Sequence, residues 1–432
     1  MLEPTHPNLV SPDYVVGAAR TVGDLFLRRV AASGPRRAFQ THAGGRWVTT
    51  TWDQFFRRAA ALAEYLIANG VRPGDKVCII GATGPEWCYA DIAGHLVGAV
   101  TLGAYPTLRS DQLAHILDHA DVKVAFVQGQ TQLAKIAACR ERLTTLDRVI
   151  TWDMDEPPAG PGSGHASNND DRSDSGKDSK GDDSAAPGWD GAPTVTSLAQ
   201  ALAHPVPAPD ALRASIDQRQ EAIDPASPAI IVYTSGTTGP PKGAMISHRN
   251  ILTCLDGYRE VARLDRRDES FNFLPMAHVA ERIAGFYGRI SSGLATSFAT
   301  SFATILDEVR DVRPHYFGSV PRIFEKAYAR IMSAVAEAPP LRQRIFRWAE
   351  RVGRRVVQHW QAGRPVPGHL RLQYRLADRL VFSKLRQVFG GRVRHFLTGA
   401  APIAGEILEF FWAAGFPIYE AYGMTEATVI TH

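Results

Sequence analysis

Residues 233–243 read YTSGTTGPPKG, a segment with no apolar side chain after its leading tyrosine. Three glycines, four hydroxyl side chains, two adjacent prolines and Lys242 follow that tyrosine. Glycine adopts positive φ and lets a ligand approach the backbone closely. Consecutive N–H groups in such turns form concave anion sites, to which a lysine adds charge. The segment therefore predicts a phosphate-binding loop, with a solvated turn as the alternative.

Short apolar runs flank this loop. PAIIVY (residues 228–233) is typical of a buried strand, and AMISHRNILTCL (residues 244–255) predicts a second short strand that leads into a helix. The spacing G-x-x-x-x-G-K-[ST], counted from Gly236, is absent because Pro241 stands where its second glycine belongs and Gly243 follows the lysine. This difference argues against an ordinary P-loop NTPase.

The composition of the 432 residues, with 45% hydrophobic and 21% charged side chains, is that of a globular protein with a sizeable core. A formal net charge of +4 is small for this length, so no nucleic-acid partner is predicted. The four cysteines lack C-x-x-C spacing, which argues against a zinc site or disulfide framework and favours a reducing compartment. The first residues do not resemble a signal peptide. We therefore expect a cytoplasmic protein, with peripheral contact at the inner face of the membrane left open.

Apolar runs and helical patterns alternate along the chain. DKVCIIG (residues 75–81) predicts a buried strand, and CYADIAGHLVGAVTLGAY (residues 88–105) predicts a buried helix followed by a strand rather than a membrane span, because it carries Asp91 and His95. Residues 108–129 repeat the order of helix and strand. Such alternation predicts an α/β fold with mostly parallel sheets.

Two stretches depart from the average composition. Residues 155–192 are dense in Gly, Ser and Asp and nearly free of aliphatic side chains, so this insertion is expected to be disordered, with a functional acidic segment as the alternative. Residues 339–390 form a very basic region with helical patterns. These patterns favour amphipathic helices with solvated arginine faces, and a membrane-surface role is the alternative.

Two further loops of small residues each follow a short predicted strand, TGAAP at residues 398–402 and YEAYGMTE at residues 419–426. In this order, the three loops resemble those of the adenylate-forming superfamily, which includes acyl-CoA synthetases, nonribosomal adenylation domains and luciferases. LPMAHVAER (residues 274–282) and VPRIFEK (residues 320–326) are most similar to long-chain fatty acyl-CoA synthetases. The resemblance runs from about Val22 to the end, apart from the insertion. It implies the large N-terminal domain of that fold, with stacked, mostly parallel sheets covered by helices.

The resemblance also implies roles for individual residues. The first loop would hold the β- and γ-phosphates of ATP, the TGAAP loop would form a wall beside adenine, and Tyr422 would stack on the other face of the base with Glu420 near its edge. Thr425 would contact the α-phosphate, and Glu426 would bind Mg²⁺. The implied nucleotide-binding residues are Thr234, Ser235, Gly236, Thr237, Thr238, Gly239, Lys242, Gly243, Gly399, Ala400, Ala401, Glu420, Tyr422, Gly423, Met424 and Thr425. The implied catalytic residues are Lys242, Thr425, Glu426 and His278.

The implied reaction has two halves, in which a fatty carboxylate and MgATP give acyl-AMP and pyrophosphate, and coenzyme A then displaces AMP. Lys242 and Mg²⁺ would offset the repulsion between the carboxylate and the phosphates. His278 would lie near the carboxylate, although a lone histidine beside an apolar strand is more often structural. An acyl tunnel is expected along residues 283–297 and 316–324, with ordinary core as the alternative. A fatty acyl-AMP ligase, another adenylation domain, or a non-catalytic nucleotide- or acyl-binding remnant stays open.

The sequence stops at His432, shortly after Glu426. In the superfamily that it resembles, an aspartate that holds the ribose, a hinge and a small C-terminal domain with a second catalytic lysine come later. The resemblance therefore implies that residues 1–432 are an AMP-binding domain, incomplete at its C-terminal end. It also implies that the 432-residue chain is impaired or inactive as a ligase.

Overall fold

The structure is a computed structural model that describes residues 14–154, 193–234 and 240–431. The predicted disordered insertion at 155–192 lies outside these residues, so its disorder stays a prediction. The α-helices are α1 (Val22–Ser33), α2 (Trp52–Ala68), α3 (Pro85–Val97), α4 (Ser110–His119), α5 (Gly129–Ala137), α6 (Leu198–Leu202), α7 (Pro209–Ala222), α8 (His248–Ala262), α9 (Gly288–Ser292), α10 (Ile305–Val312), α11 (Pro321–Ala336), α12 (Pro340–Gln361), α13 (Gly368–Ala377), α14 (Ser383–Arg386) and α15 (Gly405–Ala413).

Fourteen strands form two sheets in the described part of the chain. The strands are β1 (Arg37–Ala43), β2 (Arg46–Thr51), β3 (Lys76–Ile80), β4 (Val100–Ala104), β5 (Val122–Gln128), β6 (Arg148–Trp152), β7 (Thr194–Ser197), β8 (Pro228–Thr234), β9 (Lys242–Ser247), β10 (Glu269–Asn272), β11 (Ala295–Phe298), β12 (Tyr316–Ser319), β13 (His395–Gly399) and β14 (Ile418–Ala421). The first sheet has the order β7-β6-β5-β3-β4-β8-β9, and the second has the order β14-β13-β12-β10-β11-β1-β2. Only the edge pairs β8–β9 and β1–β2 are antiparallel among the described pairs. The predicted α/β fold with mostly parallel sheets is confirmed.

The two sheets and their helices stack in layers because both faces of most strands are apolar. On β3, Val77 and Ile79 pack in the same core as α1, α2 and α3, whereas Cys78 and Ile80 pack against α4 and α5 on the other face. A third core joins β12, β13 and β14 of the second sheet to helices α10 to α13 and α15. The first core also contains Phe298 of β11, so helices α1 to α3 lie between the two sheets.

The buried helix and strand predicted at residues 88–105 are confirmed by α3 and β4. Every residue of α3 from Trp87 to Val97 is buried, including Asp91 and His95. Among the described helices, none has the combination of length and apolar content that a membrane span needs. The helical segment after β10 starts as a π-helix at Glu281–Tyr287 before it continues into α9. Such π-helical turns occur often at functional sites.

The second sheet places several loops at one edge. Strand pairing sets Ser319 opposite Thr398, Thr398 opposite Glu420, and Gly399 opposite Ala421, so β12, β13 and β14 end side by side. In parallel sheets, ligands bind in the crevice beyond the carboxyl ends of the strands. The loops after these strands therefore meet at the edge where a ligand site is expected.

Candidate active site

The first sheet presents the glycine loop from its β8–β9 hairpin. Thr234 and Lys242 pair across the two antiparallel strands, so the ends of the loop are held next to each other, and Lys242 is exposed. The predicted binding residues Ser235, Gly236, Thr237, Thr238 and Gly239 lie outside the described residues. A Cβ atom at Gly243 would lie 2.7 Å from Cγ2 of Ile231 and 3.3 Å from the Tyr233 ring. The glycine after the lysine thus allows Ile231 and the Tyr233 ring to pack directly against the backbone of β9.

Two histidines of α4 anchor both ends of this loop. The hydroxyl of Tyr233, just before the loop, lies 2.8 Å from Nδ1 of His119, and the carbonyl oxygen of Pro241, just after it, lies 3.2 Å from Nε2 of His115. The two imidazole rings are one helical turn apart, with centroids 5.4 Å from each other. The sequence reasoning missed both residues. Their i, i+4 spacing on a predicted helix was the available signal.

The predicted adenine wall follows β13 and contains a strained backbone position. Ala400 has φ +68°, the left-handed conformation that L-residues avoid. A Cβ atom at Gly399 would lie 3.1 Å from the carbonyl oxygen of Ala421 on β14. Glu420 accepts a hydrogen bond from the backbone N–H of Ile403 at 3.2 Å, which ties β14 to the turn after β13. Strained backbone of this kind clusters at ligand sites, where the surrounding structure holds it in place.

A tight turn after β14 carries the predicted residues Tyr422 to Glu426. A Cβ atom at Gly423 would lie 1.3 Å from the carbonyl oxygen of Val429, so only glycine fits this position. Backbone N–H groups of Val429 and Thr431 donate to the carbonyls of Met424 and Tyr422 at 3.1 and 3.0 Å, closing the turn. The Tyr422 side chain is 66% exposed, which leaves surface for a planar ring to stack on.

This turn connects the two sheets. The short 3-10 helix Thr425–Ala427 lies beside β9, the strand that begins with Lys242. Val429, just after it, is buried in the core that also contains Val232 of β8 and Ile246 of β9. The structure thus brings the Lys242 strand of the first sheet next to Thr425 and Glu426 of the second.

Glu426 is suited to share a cation with a ligand rather than to hold one alone. Its carboxylate is exposed and has no ion-pair partner within the described part of the chain. No group of three or more metal-binding side chains occurs in those residues either. Mg²⁺ usually keeps several waters and takes one or two carboxylates together with phosphate oxygens. The single carboxylate therefore fits Mg²⁺ delivered with a nucleotide.

His278 lies in the turn between β10 and the π-helix. Its Nδ1 accepts the backbone N–H of Ala280 at 3.2 Å, and burial lowers the pKa of this histidine below its ordinary value. The ring is therefore neutral near pH 7, and its proton resides on Nε2, which can donate a hydrogen bond. The Thr83 hydroxyl donates to the Leu274 carbonyl at 2.8 Å and accepts from the Met276 N–H at 3.0 Å. These bonds fix the turn on the first sheet.

A fully buried polar network supports the π-helix behind His278. Asp91 of α3 accepts hydrogen bonds from Arg282, from the Tyr287 hydroxyl at 2.7 Å and from the Thr101 hydroxyl at 2.7 Å. Burial opposes ionisation of Asp91, but the adjacent Arg282 guanidinium and these donors hold the pKa of Asp91 below its ordinary value. The backbone N–H of Arg282 donates to the His278 carbonyl at 3.0 Å. The network thus connects α3 directly to the turn that carries His278.

Most of the residues predicted to line an acyl tunnel are packed as core. In the first segment, Ile283, Tyr287 and Ile290 have no exposed surface. In the second, Phe317 and Phe324 are equally buried in an aromatic cluster of the second sheet. An acyl tunnel along these segments stays a prediction.

Comparison with known families agrees with this architecture. The model of the AMP-binding enzyme family matches residues 26–432, so the chain belongs to that family. It is 28% identical over 420 residues to the long-chain-fatty-acid–CoA ligase ACSBG2 of Gallus gallus, and the aligned region covers 95% of this chain and 50% of that protein. It is 29% identical over 398 residues to the long-chain-fatty-acid–CoA ligase FadD15 of Mycobacterium bovis, covering 90% of this chain and 58% of that protein. The chain thus spans about half the length of the curated relatives it matches.

Solved structures share the fold at low sequence identity. The inhibitor-bound N-terminal domain of FACL13 from Mycobacterium tuberculosis superposes with a TM-score of 0.62 at 18% identity, covering 94% of this chain and 77% of that one. The anthranilate CoA ligase AuaEII in complex with anthranoyl-AMP gives a TM-score of 0.65 at 15% identity, and the superposition covers 97% of this chain and 62% of that one. The expected N-terminal fold of adenylate-forming enzymes is therefore confirmed.

Proposed function

We propose that this chain is the nucleotide- and fatty-acid-binding part of an AMP-forming long-chain fatty acid–CoA ligase. The observation that carries the proposal is the packing of strand β9 against the Thr425–Ala427 helix, because β9 begins with a lysine and the helix carries a hydroxyl and a carboxylate. The printed names of the curated relatives support a long-chain fatty acid as substrate. For this reason we favour the ligase over an acyl-AMP ligase or a non-catalytic remnant.

In this proposal, ATP lies across the junction of the two sheets. The loop from Thr234 to Gly243 binds the β- and γ-phosphates with Lys242 beside them. Adenine lies between the wall at residues 399–401 and the exposed ring of Tyr422. Aromatic rings suit this role because planar π-systems attract each other in offset stacking. Mg²⁺ bound to Glu426 and to phosphate oxygens would supply further positive charge at the reacting phosphate.

The first chemical step joins two anions, so positive charge must be concentrated where they meet. A carboxylate oxygen attacks the α-phosphorus, the bond from that phosphorus to the bridging oxygen breaks, and pyrophosphate leaves. Lys242 stabilises the charge that builds on the phosphates, and the Thr425 hydroxyl donates to an α-phosphate oxygen. The Nε2–H group of neutral His278 donates to the fatty carboxylate and orients it. In the second step the thiolate of coenzyme A attacks the acyl carbon and AMP leaves.

Pyrophosphate exchange into ATP with a panel of fatty acids tests the proposal. The purified protein, in its longest natural form, should catalyse exchange only when a fatty acid is present, with the highest rate for long chains. Exchange that is fastest with aromatic or short carboxylates would contradict the substrate class. Nucleotide binding without any exchange would instead support the non-catalytic remnant. We further propose a cytoplasmic location, and peripheral contact at the inner face of the membrane is the second location that the sequence leaves open.

A further inference from the structure

Helices α12 and α13 form a surface whose exposed charges all have one sign. The exposed charged side chains between residues 340 and 386 are Arg342, Arg344, Arg347, Arg351, Arg355, Arg364, Arg371, Arg375, Arg379 and Lys384. The two acidic residues of this stretch, Glu350 and Asp378, are half-buried and already paired with Arg354 at 3.0 Å and Arg386 at 2.6 Å. The surface therefore has a concentration of positive charge that its own acids do not neutralise.

On α12 the exposed arginines form a stripe. At about 100° per residue, Arg344, Arg347, Arg351 and Arg355 fall within about 80° of one another around the helix. The opposite side of α12 packs into the third core through Phe346, Ala349, Val352 and Val356. The arginine stripe therefore faces away from the core along most of the length of this helix.

Exposed leucines lie on the next helical segment. Leu372 and Leu376 are 69% and 50% exposed on α13, and Leu380, in the π-helix Asp378–Phe382 that follows, is 42% exposed. Leu370 and Ala377 of α13 pack into the same third core as α12. The leucines are thus an unpartnered apolar stripe on the outer side of a helix pair. Arg371, Arg375 and Arg379 each directly precede one of them.

We infer that this outer face of α12 and α13 is a docking surface for an anionic lipid bilayer. An anionic bilayer presents charged lipid phosphates above an apolar acyl region, and leucines flanked by arginines match both. The apolar side chains enter the acyl boundary while the guanidinium groups bind the lipid phosphates. Each arginine near an anionic membrane strengthens binding several-fold. A second copy of the chain fits the surface poorly because the two positive faces repel each other. Nucleic acid fits it poorly because its phosphates offer nothing to three exposed leucines.

Vesicle flotation tests this surface without reference to the ligase reaction. The protein should bind vesicles of phosphatidylcholine with one-third phosphatidylglycerol at about 0.1 M salt, where charges act over about 10 Å. Binding to pure phosphatidylcholine should be much weaker. The triple variant R371Q/R375Q/R379Q should reduce the partition coefficient by about 10- to 100-fold, and L372S/L376S/L380S should reduce it to a similar extent. The control R57Q/R142Q/R249Q removes three exposed arginines from other elements and should bind as the wild type does.

Three results would overturn the inference: a wild-type protein that does not bind anionic vesicles, α13 variants that bind as well as the wild type, or a control that loses binding equally. Sedimentation velocity tests whether a second copy of the chain binds this surface, and a duplex DNA binding assay tests whether nucleic acid does. Dimerisation or DNA binding that the leucine variant abolishes would assign the surface to those partners instead. Because α13 carries none of the proposed catalytic residues, fatty-acid-dependent exchange measured without lipid should be unchanged in every variant. Failure of vesicle binding is therefore distinguishable from failure of the proposed reaction.

Discussion

Two buried histidines should make the protein lose stability in mild acid. Burial lowers the pKa of His95 to about 4 and, with His95 nearby, that of His248 to about 3, whereas an unfolded chain keeps histidine near 6.5. His248 is held neutral because its Nδ1 accepts the backbone N–H of Val22 at 3.1 Å. His95 lies 2.8 Å from the Tyr287 hydroxyl, which itself donates to Asp91.

The sign of the effect follows from proton binding. Below pH 6.5 the unfolded chain binds protons at both histidines and the folded protein does not, so the free energy of unfolding falls as the pH falls. Between pH 7.5 and pH 5.0 each histidine should cost about 2 kcal/mol, and the two together about 4 kcal/mol. Other groups add to the measured change, so comparison with variants is needed to isolate these two.

Urea denaturation of His95→Asn at the two pH values isolates the contribution of His95. The variant should be less stable than the wild type at pH 7.5, because the contact with Tyr287 is altered, and this difference should shrink by about 2 kcal/mol at pH 5.0. His369→Asn, at an exposed position of α13, is the matched control and should follow the wild type at both pH values. A His95→Asn curve that runs parallel to the wild type would refute the reasoning, because His95 would then not be the group that takes up the proton.

Three further predictions concern single side chains. Gly423→Ala should reduce pyrophosphate exchange at least tenfold, because its Cβ would collide with the Val429 carbonyl. The control Gly405→Ala, at a position with open space around it, should keep full activity. Equal rates for the two variants would show that the turn after β14 is not part of the site. Phe324→Ala should lower the free energy of unfolding, measured by urea denaturation, by about 3–5 kcal/mol. The control Leu341→Ala, at an exposed position, should lower it by less than about 0.5 kcal/mol. A small loss at Phe324 would mean that the aromatic core can collapse around the gap. Tyr233→Phe should raise the KM for ATP about 2- to 12-fold, because it removes one hydrogen bond. His119→Phe should raise the KM for ATP to the same extent, and the double variant should show no further increase. Additive effects would show that the two side chains act separately.

Much of the fold could be predicted from local patterns. The apolar runs that became β3, β4, β5 and β8 are buried on both sides, and such strands read as continuous apolar segments. The loops of the candidate site were also visible in the sequence, because small residues after a short strand mark the end of a parallel strand. Gly423 illustrates the point, since its position in the YGMTE turn admits no side chain.

Contacts between distant parts of the chain could not be predicted in this way. The anchoring of Tyr233 by His119 joins residues 114 positions apart, and the pair Arg282 and Asp91 joins residues 191 positions apart. Spacing along the chain does not show which distant residue His119 or Asp91 contacts. The π-helical start at Glu281 has the same origin, because the buried network around Arg282, rather than the local sequence, fixes the turn that holds His278.

The central claim is that the Lys242 strand and the Thr425–Ala427 helix bind the same nucleotide. A double-mutant cycle on fatty-acid-dependent pyrophosphate exchange tests it most directly, with Lys242→Ala, Glu426→Gln, the double variant and Lys326→Ala of α11 as the matched control. Each single variant should lower the rate at saturating ATP by about 10- to 1000-fold, since each removes a charged contact to the transition state. The double variant should lose much less than the product of the two losses, because groups that act on one transition state are not additive. A strictly multiplicative double variant, or either single variant with an unchanged rate, would contradict the claim.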